Sequence, residues 1–311
     1  MYDLIIIGGG PAGLTAAIYA LRKRLNVLLL SKDLGGKTNF RLQVPNVEHH
    51  LVINGEEVVG RFVNELEYLD FAREMEKVEK VERAPEGYGV RLKNGKAHAA
   101  RTLILATGAQ GQHLNVPGEK EFMMRGLCYS AMSYAPLFIE RETTVIGDTG
   151  LALRAAAELA QIARHVTLVA PTHGELDSPL GKRLRAMPNV VLMEGYHVEK
   201  VLGDDFARSI VIKKNGASHE IKSDAFFVEL DLVPNTEMVK GLVDLDANGR
   251  IKVDIRNRTS APGIFAAGDV TNVYAEQVLI AIGEGAKAAL SAYEYLLEQP
   301  APEKAAAGEW R

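Results

Sequence analysis

Residues 2–13 read YDLIIIGGGPAG, an apolar run that ends in a glycine-rich turn. A continuous apolar run is typical of a buried parallel strand. Gly8, Gly10 and Gly13 then form the pattern GxGxxG. In this pattern the first glycine makes a tight turn, the second lets the backbone approach a diphosphate, and the third lets helix and strand pack closely. The stretch therefore predicts a Rossmann-like fold with a dinucleotide site at the start of its first helix.

A second copy of this pattern begins near residue 143 with its glycines changed. A short apolar strand at 143–146 leads into residues 147–152, which read GDTGLA. Thr149 places a β-branched side chain where the second glycine belongs, and Asp148 is expected to bring a negative charge towards a bound diphosphate. We expect a conventional dinucleotide to bind poorly at this second turn.

The composition indicates a globular chain. Its 311 residues are 47% hydrophobic and 24% charged, enough for two domains, and the net charge of -4 gives no basic surface for nucleic acid. No apolar run approaches the roughly 20 residues that span a bilayer, so no membrane association is expected. The chain opens directly with a strand instead of a targeting leader, which predicts a cytoplasmic location.

Cysteine and histidine content limits the chemistry. The single cysteine, Cys128, excludes an intrachain disulfide, and its simplest interpretation is a small buried apolar residue. His49 and His50 are adjacent but have no further ligand at metal spacing. We interpret them as a solvated loop, and no metal site is predicted.

The alternation of apolar runs and turn signals gives the order of elements. The predicted strands are 2–7, 26–30, 78–83, 87–92 and 101–106, the predicted helices are 12–24, 56–71 and 275–297, and a βαβ unit covers 143–169. This order predicts an α/β fold of two Rossmann-like three-layer domains, with the second inserted into the first. The first domain is expected at 1–112 and 242–311, and the inserted domain at 113–241.

Six segments of the chain occur in the order and spacing of the low-molecular-weight thioredoxin reductases, which are FAD-dependent pyridine nucleotide-disulfide oxidoreductases. The segments are 8–13 (GGGPAG), 35–36 (GG), 106–109 (ATGA), 116–119 (VPGE), 234–236 (PNT) and 263–269 (GIFAAGD). The chain resembles this family from Met1 to about Leu297, which implies the same fold. In that family the first domain binds FAD, the inserted domain binds NADPH, and a CxxC pair carries electrons from the flavin to thioredoxin.

The resemblance implies an FAD site in the first domain. Gly8, Gly10 and Gly13 would hold the diphosphate, and Asp269 would hydrogen-bond the ribityl or diphosphate region. Gln277, expected just inside the last helix, corresponds to the helix N-terminus that faces the flavin ring in the family; the alternative is a solvated first-turn residue. The full set of positions implied to bind the cofactor is Gly8, Gly10, Pro11, Ala12, Gly13, Ser31, Gly35, Gly36, Thr107, Gly108, Gly268, Asp269, Gln277 and Val278.

The same resemblance reveals a missing dithiol. The family's segment reads approximately GVSYCAxCDG, and residues 126–135 here read GLCYSAMSYA. Ser130 and Ser133 stand where the family has its redox cysteines, and Tyr134, near the flavin in this register, stands where the family has an acid. A hydroxyl cannot cycle between dithiol and disulfide and is a far weaker nucleophile than a thiolate. The chain is therefore not expected to be an ordinary thioredoxin reductase.

Several strand ends and loops also depart from the nucleotide-binding pattern. Ser31 stands where an acidic residue often binds the adenosine ribose, and a hydroxyl can still make one such hydrogen bond. Residues 169–173 read VAPTH where NADPH-using relatives place arginines for the 2′-phosphate. Asp231 replaces a glycine in the family's IGxxPNT loop and, with Asp148, would repel phosphate. We expect the NADPH site to be lost; the alternative is that it is still used through altered contacts.

Two classes of function fit an intact FAD site beside these losses. The first is an oxidoreductase whose flavin exchanges electrons with a ferredoxin-like protein, a quinone, a second flavin or oxygen. The second is a catalytically silent FAD-binding protein that acts as a redox sensor or interaction module. An NAD(P)H-dependent flavin or ferredoxin reductase ranks lower, because relatives of that kind that lack CxxC keep the second glycine pattern.

A Pro- and Ala-rich tail at 299–311 contains the only tryptophan, Trp310. Without a dithiol and a nicotinamide, one face of the flavin lacks its usual partner, and an aromatic ring stacked on it would shield it. The hypothesis is that the tail folds back, within the chain or across an expected homodimer, and that Trp310 or Tyr134 lies against the flavin. The alternative is a tail that simply packs on the surface.

Overall fold

A computed structural model describes residues 1–45, 55–67 and 72–300 of the chain. Within these ranges the chain divides into two compact units. The first comprises residues 1–39, 55–67, 72–109 and 234–300, and the second comprises residues 40–45 and 110–233. The division therefore comes a few residues earlier in the chain than the boundaries expected after 112 and 241.

The elements follow one another in a βαβ order. In chain order the strands are β1 Tyr2–Ile7, β2 Val27–Ser31, β3 Arg73–Met75, β4 Val78–Ala84, β5 Gly87–Leu92, β6 Ala97–Leu105, β7 Ala109–Gly111, β8 Leu127–Cys128, β9 Glu142–Ile146, β10 His165–Ala170, β11 Val190–Glu194, β12 His197–Gly203, β13 Ala207–Lys214, β14 Ala217–Lys222, β15 Ala225–Val228, β16 Leu232–Pro234 and β17 Ile264–Ala266. The α-helices are α1 Pro11–Arg22, α2 Gly55–Glu67, α3 Glu119–Phe122, α4 Ala131–Tyr134, α5 Gly150–Leu159, α6 Pro179–Ala186 and α7 Val278–Glu298, and a 3-10 turn covers Gly36–Asn39.

The first unit is built on a sheet whose central strands are parallel. Strand β1 lies between β2 and β6, with β3 added beside β2 and β17 paired with β6. Strands β5 and β4 continue the sheet in antiparallel direction. Leu4 and Ile6 pack in one core with residues of α1 and α7, whereas Ile5 and Ile7 pack in another core with residues of β4 and β5. Because alternate side chains of β1 enter two cores, the strand is buried on both faces, as its continuous apolar sequence predicts.

The second unit repeats this arrangement with different residues. Its five strands lie in the order β11-β10-β9-β15-β8 and all pair in parallel. Val145 and Phe227 belong to a core that includes residues of α5, whereas Ile146 and Phe226 belong to a core that includes residues of β13. Strands β12, β13 and β14 form a separate antiparallel sheet that supplies this second core.

The structure confirms the fold class expected from the sequence. The strands predicted at 2–7 and 87–92 have those bounds, and the helix predicted at 12–24 is α1. The helix predicted at 56–71 is α2 up to Glu67, and the end of that prediction, 68–71, lies outside the described residues. No helix in the described part of the chain is long and apolar enough to cross a bilayer.

Candidate functional site

The first glycine turn joins β1 to α1 and has one open position. Gly8 has a φ of 115°, and a Cβ atom there would lie 2.2 Å from the carbonyl oxygen of Ala106. A Cβ at Gly13 would lie 1.8 Å from the carbonyl oxygen of Gly8. At Gly10, in contrast, apart from its own chain neighbours no atom of the described residues lies within 4 Å of an added Cβ. The fold itself requires the first and third glycines, whereas the second leaves space that a diphosphate fits.

The start of α1 is prepared for an anion. Gly10 is the N-cap residue, has extended backbone angles and offers no side-chain cap, and Pro11 follows at the first helical position. The first turn contains no acidic residue. A helix N-terminus carries a partial positive charge and unpaired backbone N–H groups, which bind phosphate. These residues therefore fit the diphosphate of FAD.

Three further glycines, the pair Gly35 and Gly36 and the single Gly268, border the same helix start. The N–H of Gly35 donates to the carbonyl of Gly9 at 2.7 Å, and a Cβ at Gly36 would lie 3.1 Å from the Cα of Gly10. A Cβ at Gly268 would lie 3.1 Å from the Cβ of Ala12. Close backbone approach therefore explains these glycines, and it brings three segments of the sequence resemblance to one place.

Thr107 and Gly108 are held by a residue that the sequence analysis assigned no role. Asn235 donates from Nδ2 to the carbonyls of Thr107 and Gly108 at 2.8 and 3.2 Å, and its N–H donates to the carbonyl of Gly108 at 3.0 Å. The hydroxyl of Thr107 donates back to the carbonyl of Asn235 at 2.7 Å. The PNT segment was grouped with the NADPH site in the sequence, but its asparagine fixes the backbone at the end of a first-unit strand.

The remaining sequence-derived FAD positions have local roles in the structure. Ser31 donates its hydroxyl proton to the carbonyl of Asp33 at 2.6 Å, so its expected hydrogen bond to the adenosine ribose stays a prediction. Gln277 was expected inside the last helix, and this was wrong: it is the N-cap of α7 with extended angles, and Val278 is the first helical residue. Glu276, which precedes Gln277, forms an ion pair with Arg250 at 2.5 Å, and this ion pair holds Glu276 outside the helix. The contact of Gln277 with the flavin ring stays a prediction.

The second glycine turn has a backbone like that of the first turn, but a side chain occupies its second glycine position. A Cβ at Gly147 would lie 2.3 Å from the carbonyl oxygen of Glu229, so this position matches Gly8 in its close packing. Thr149 is the N-cap of α5, with extended angles like those of Gly10. Its hydroxyl oxygen is buried and has no hydrogen-bond partner among the described residues. A threonine side chain therefore fills the position that is open in the first turn.

Two carboxylates lie at the second turn, those of Asp148 and Glu175. Asp148 was expected to point towards a diphosphate, but its Oδ2 accepts from the N–H and hydroxyl of Thr172 at 2.8 and 2.7 Å. A Cβ at Gly150 would lie 3.1 Å from Oε2 of Glu175. Glu175 therefore places a carboxylate at the start of α5, and the guanidinium of Arg154 lies beside it, with Nη1 3.2 Å from the same Cβ position. Asp231 is exposed to solvent.

The end of β10, where NADPH-using relatives place arginines, carries an ionic network. His173 contacts Glu194 at 2.8 Å through Nδ1 and Asp177 at 3.0 Å through Nε2. Hydrogen bonds to Glu194 and Asp177 raise the pKa of His173 above its ordinary value. Arg185 also pairs with Glu194. The cations at this strand end are thus already paired with the chain's own carboxylates.

The serine turn is anchored by a buried carboxylate. The hydroxyl oxygens of Ser130 and Ser133 lie 2.8 Å apart, so the structure brings the two expected positions together. Glu229, 3% exposed, accepts from the N–H of Ala131 at 2.5 Å. Cys128 is fully buried, as expected, and burial raises the pKa of its thiol. Glu229 was not predicted from the sequence, although its position directly after the apolar run at 225–228 was an available signal.

Tyr134 has local partners in the second unit. Its hydroxyl donates to the carbonyl of Phe40 at 3.2 Å and accepts from the N–H of Leu42 at 3.3 Å. Burial raises the pKa of Tyr134. Its place against the flavin stays a prediction, and Trp310 lies outside the described residues, as do His49 and His50. Across residues 1–45, 55–67 and 72–300 the structure contains no cluster of three or more potential metal ligands.

Comparison with known proteins agrees with the sequence resemblance. The family model of pyridine nucleotide-disulphide oxidoreductases matches residues 2–285. A Pseudomonas aeruginosa protein named as part of alkyl hydroperoxide reductase is 38% identical over 313 residues, which cover 97% of this chain and 60% of that protein. A Bacillus subtilis protein named NADH dehydrogenase is 34% identical over 301 residues, which cover 95% and 59%. The chain thus spans about three fifths of the length of the curated relatives it matches.

A solved structure supports the same conclusion at the level of the fold. The crystal structure of thioredoxin reductase from Streptococcus pyogenes is similar with a TM-score of 0.85 and 32% identity, covering 96% of this chain and 99% of that one. Both glycine turns lie inside the residues that the family model matches. The chain therefore belongs to the pyridine nucleotide-disulphide oxidoreductase family as an FAD-binding member with the thioredoxin reductase fold.

Proposed function

We propose that this oxidoreductase exchanges electrons between FAD and a partner other than NADH or NADPH, and that it works without a redox dithiol. The partner classes are a ferredoxin-like electron carrier, a quinone, a second flavin and oxygen. We also propose that the protein acts as a homodimer.

The filled second turn is the observation that supports this proposal most strongly. A dinucleotide needs the backbone of the second glycine position and the start of the following helix for its diphosphate. Here Thr149 occupies the first of these places, and the side chains of Glu175 and Arg154 occupy the second. Each charge-assisted hydrogen bond that the diphosphate fails to make removes about 1.5 to 3 kcal/mol of binding free energy. Loss of two such contacts is enough to make the binding of NADH or NADPH negligible at cellular concentrations.

The serine turn supports the second half of the proposal. Ser130 and Ser133 are close enough to exchange a hydrogen bond, but two hydroxyls have no disulfide state to which electrons from a flavin can pass. Cys128 is buried and its raised thiol pKa keeps it protonated. The residues of this chain therefore offer no thiol pair between flavin and acceptor.

The chain's own groups bind and orient the cofactor. The N–H groups at the start of α1 and the open space beside Gly10 would hold the diphosphate. Hydrogen bonds between Asn235 and the backbone of Thr107 and Gly108 fix the neighbouring strand end. FAD, when bound, supplies the electron-transfer chemistry. The partner must therefore reach the flavin directly and not through a protein dithiol.

An anaerobic titration of the holoprotein tests the proposal. NADH, NADPH, reduced ferredoxin and dithionite are added in turn while the flavin absorbance is followed, with an NADPH-dependent thioredoxin reductase as the positive control for the nucleotides. Millimolar NADH and NADPH should leave the flavin oxidised, whereas dithionite should bleach it. The reduced protein is then mixed with ferredoxin, a quinone, free flavin and oxygen, and fast reoxidation identifies the acceptor class.

Two other outcomes identify the alternatives. A flavin that dithionite reduces but that no carrier, quinone, flavin or oxygen reoxidises quickly indicates a redox sensor or interaction module. Rapid bleaching by NADH or NADPH overturns the proposal. That outcome favours an NAD(P)H-dependent reductase, a second candidate supported by the 34% identity to the Bacillus subtilis protein named NADH dehydrogenase.

A further inference from the structure

An ion pair joins two segments that border the start of α1. The ammonium of Lys37 pairs with the carboxylate of Asp269, whose side chain is only 13% exposed. Lys37 lies in the 3-10 turn Gly36–Asn39, and Asp269 follows Gly268. The sequence analysis assigned a cofactor role to Asp269 and none to Lys37.

The backbone fixes both residues next to the diphosphate position. Gly36, which precedes Lys37, approaches Gly10 so closely that a Cβ on it would lie 3.1 Å from the Cα of Gly10. Gly268, which precedes Asp269, approaches Ala12 in the first turn of α1 to the same degree. The pair therefore lies beside the open space at Gly10 and does not depend on a long reach of either side chain.

The charges at this place need a cation. The diphosphate of FAD carries two negative charges, and Asp269 adds a third nearby. The start of α1 contributes a partial charge of roughly half a unit, which does not balance them. Two anions that converge in a partly buried site repel each other unless a positive charge lies between or beside them.

We propose that Lys37 is a cofactor-binding residue whose ammonium neutralises both the FAD diphosphate and the carboxylate of Asp269. Its ammonium has three donors, so one can bind Asp269 while another binds a phosphate oxygen. Its side chain is 52% exposed, so its contribution to FAD affinity is screened by salt. The pair thus makes an acidic side chain compatible with a bound dianion.

The test removes FAD from the holoprotein and titrates it back into Lys37→Gln, Lys37→Arg and wild-type protein while flavin fluorescence is measured. Lys37→Gln should raise the FAD dissociation constant by about tenfold to a hundredfold at low salt, and by less at high salt. Lys37→Arg keeps the charge and should retain most of the affinity. Lys32→Gln is the matched control, because Lys32 is 72% exposed and pairs only with a partly exposed Asp33.

Two further measurements separate this role from a purely structural one. ADP, which has the diphosphate and no flavin, should lose affinity for Lys37→Gln by about the same factor as FAD. Adding Asp269→Asn to Lys37→Gln should recover part of the FAD affinity, because it removes the unbalanced charge. The proposal is overturned if Lys37→Gln binds FAD as tightly as wild type, if ADP binding is unchanged, or if the apoprotein loses as much thermal stability as the holoprotein.

Discussion

The two glycine turns of this chain have nearly the same backbone and opposite surroundings. Gly8 and Gly147 both have positive φ and both press against a carbonyl oxygen of a neighbouring segment. Gly10 and Thr149 are both extended N-cap residues of the following helix. The space beside Gly10 is open, whereas Thr149 carries a buried hydroxyl with no hydrogen-bond partner in the described part of the chain.

This comparison separates the glycines that the fold needs from the glycine that the ligand needs. The first position of the pattern is constrained in both units by close packing of the backbone, so it is glycine in both. A side chain at the second position projects into space that is open in the first unit, so this residue can change without disturbing the sheet. A Rossmann-like unit can therefore lose its nucleotide through side-chain changes while its fold persists.

The largest expected effect is at Gly10. Gly10→Val places a branched side chain in the diphosphate space, at a position where a Cβ atom meets no neighbouring segment within 4 Å. The purified variant should retain less than about a tenth of the wild-type FAD, since the diphosphate cannot approach the backbone. Flavin absorbance relative to protein absorbance measures this, and circular dichroism checks that the fold is intact.

Thr149→Val is the matched control at the equivalent position of the second turn. It keeps the shape of the side chain and removes only the unpartnered hydroxyl, so FAD content should be unchanged. Stoichiometric FAD in Gly10→Val, or loss of FAD in Thr149→Val, would mean that the two turns have been assigned the wrong way round.

The next largest effect is a loss of folding stability at the third glycine of the first turn, Gly13. A Cβ at Gly13 would lie 1.8 Å from the carbonyl oxygen of Gly8, so Gly13→Ala must displace backbone and should lower the free energy of unfolding by about 3 kcal/mol. The second turn already has Ala152 there, and Ala152→Gly should lower it by only about 1 kcal/mol. Urea unfolding of the apoproteins gives both values, and equal losses would remove the distinction between the turns.

Much of this fold could be predicted from the sequence because several independent signals indicate the same structure for β1 and the turn after it. The apolar run at 2–7, the glycine pattern and the helix all indicate the same βαβ unit, and local and tertiary preferences agree. The start of α7 was predicted too early because Ala275 and Glu276 are compatible with helix. The ion pair between Glu276 and Arg250, which a sequence pattern does not show, holds them outside it.

The site was harder to predict than the fold because its charges depend on side-chain direction. The pattern located Asp148 beside the second turn, but only coordinates show that Thr172 binds its carboxylate and that Glu175 lies at the start of α5. Glu229 was missed for the same reason, since an acid at the end of a strand is usually solvated.

Restoring the dithiol tests whether the second unit has one defect or two. The hydroxyls of Ser130 and Ser133 lie 2.8 Å apart, so cysteines at both positions should form a disulfide, seen as loss of about two titratable thiols. NADPH-driven reduction of thioredoxin by this double variant should stay at the buffer level, because the nucleotide turn remains filled. The single variant Ser130→Cys is the control for thiol chemistry without a disulfide. Substantial NADPH-dependent turnover would show that the second turn still binds a nucleotide.

The smallest expected effect is a change in how stability depends on pH. It should differ between Ser31, at the end of β2, and His173, just after β10. The raised pKa of His173 stabilises the fold fully below its ordinary value of 6.5, and this stability is lost as pH rises through the raised pKa. The pKa values of Asp177 and Glu194 are lowered, chiefly by hydrogen bonds to His173, so their contribution to stability is present above their ordinary values of 3.8 and 4.5 and is lost as pH falls.

The stabilising contributions of His173 and of the two carboxylates coincide between pH 4.5 and 6.5. His173→Gln should therefore lower the melting temperature slightly in that window and leave it unchanged well above it, whereas the control Ser31→Ala should show no such dependence on pH. A uniform shift across the whole pH range would mean that His173 acts through packing and not through its charge.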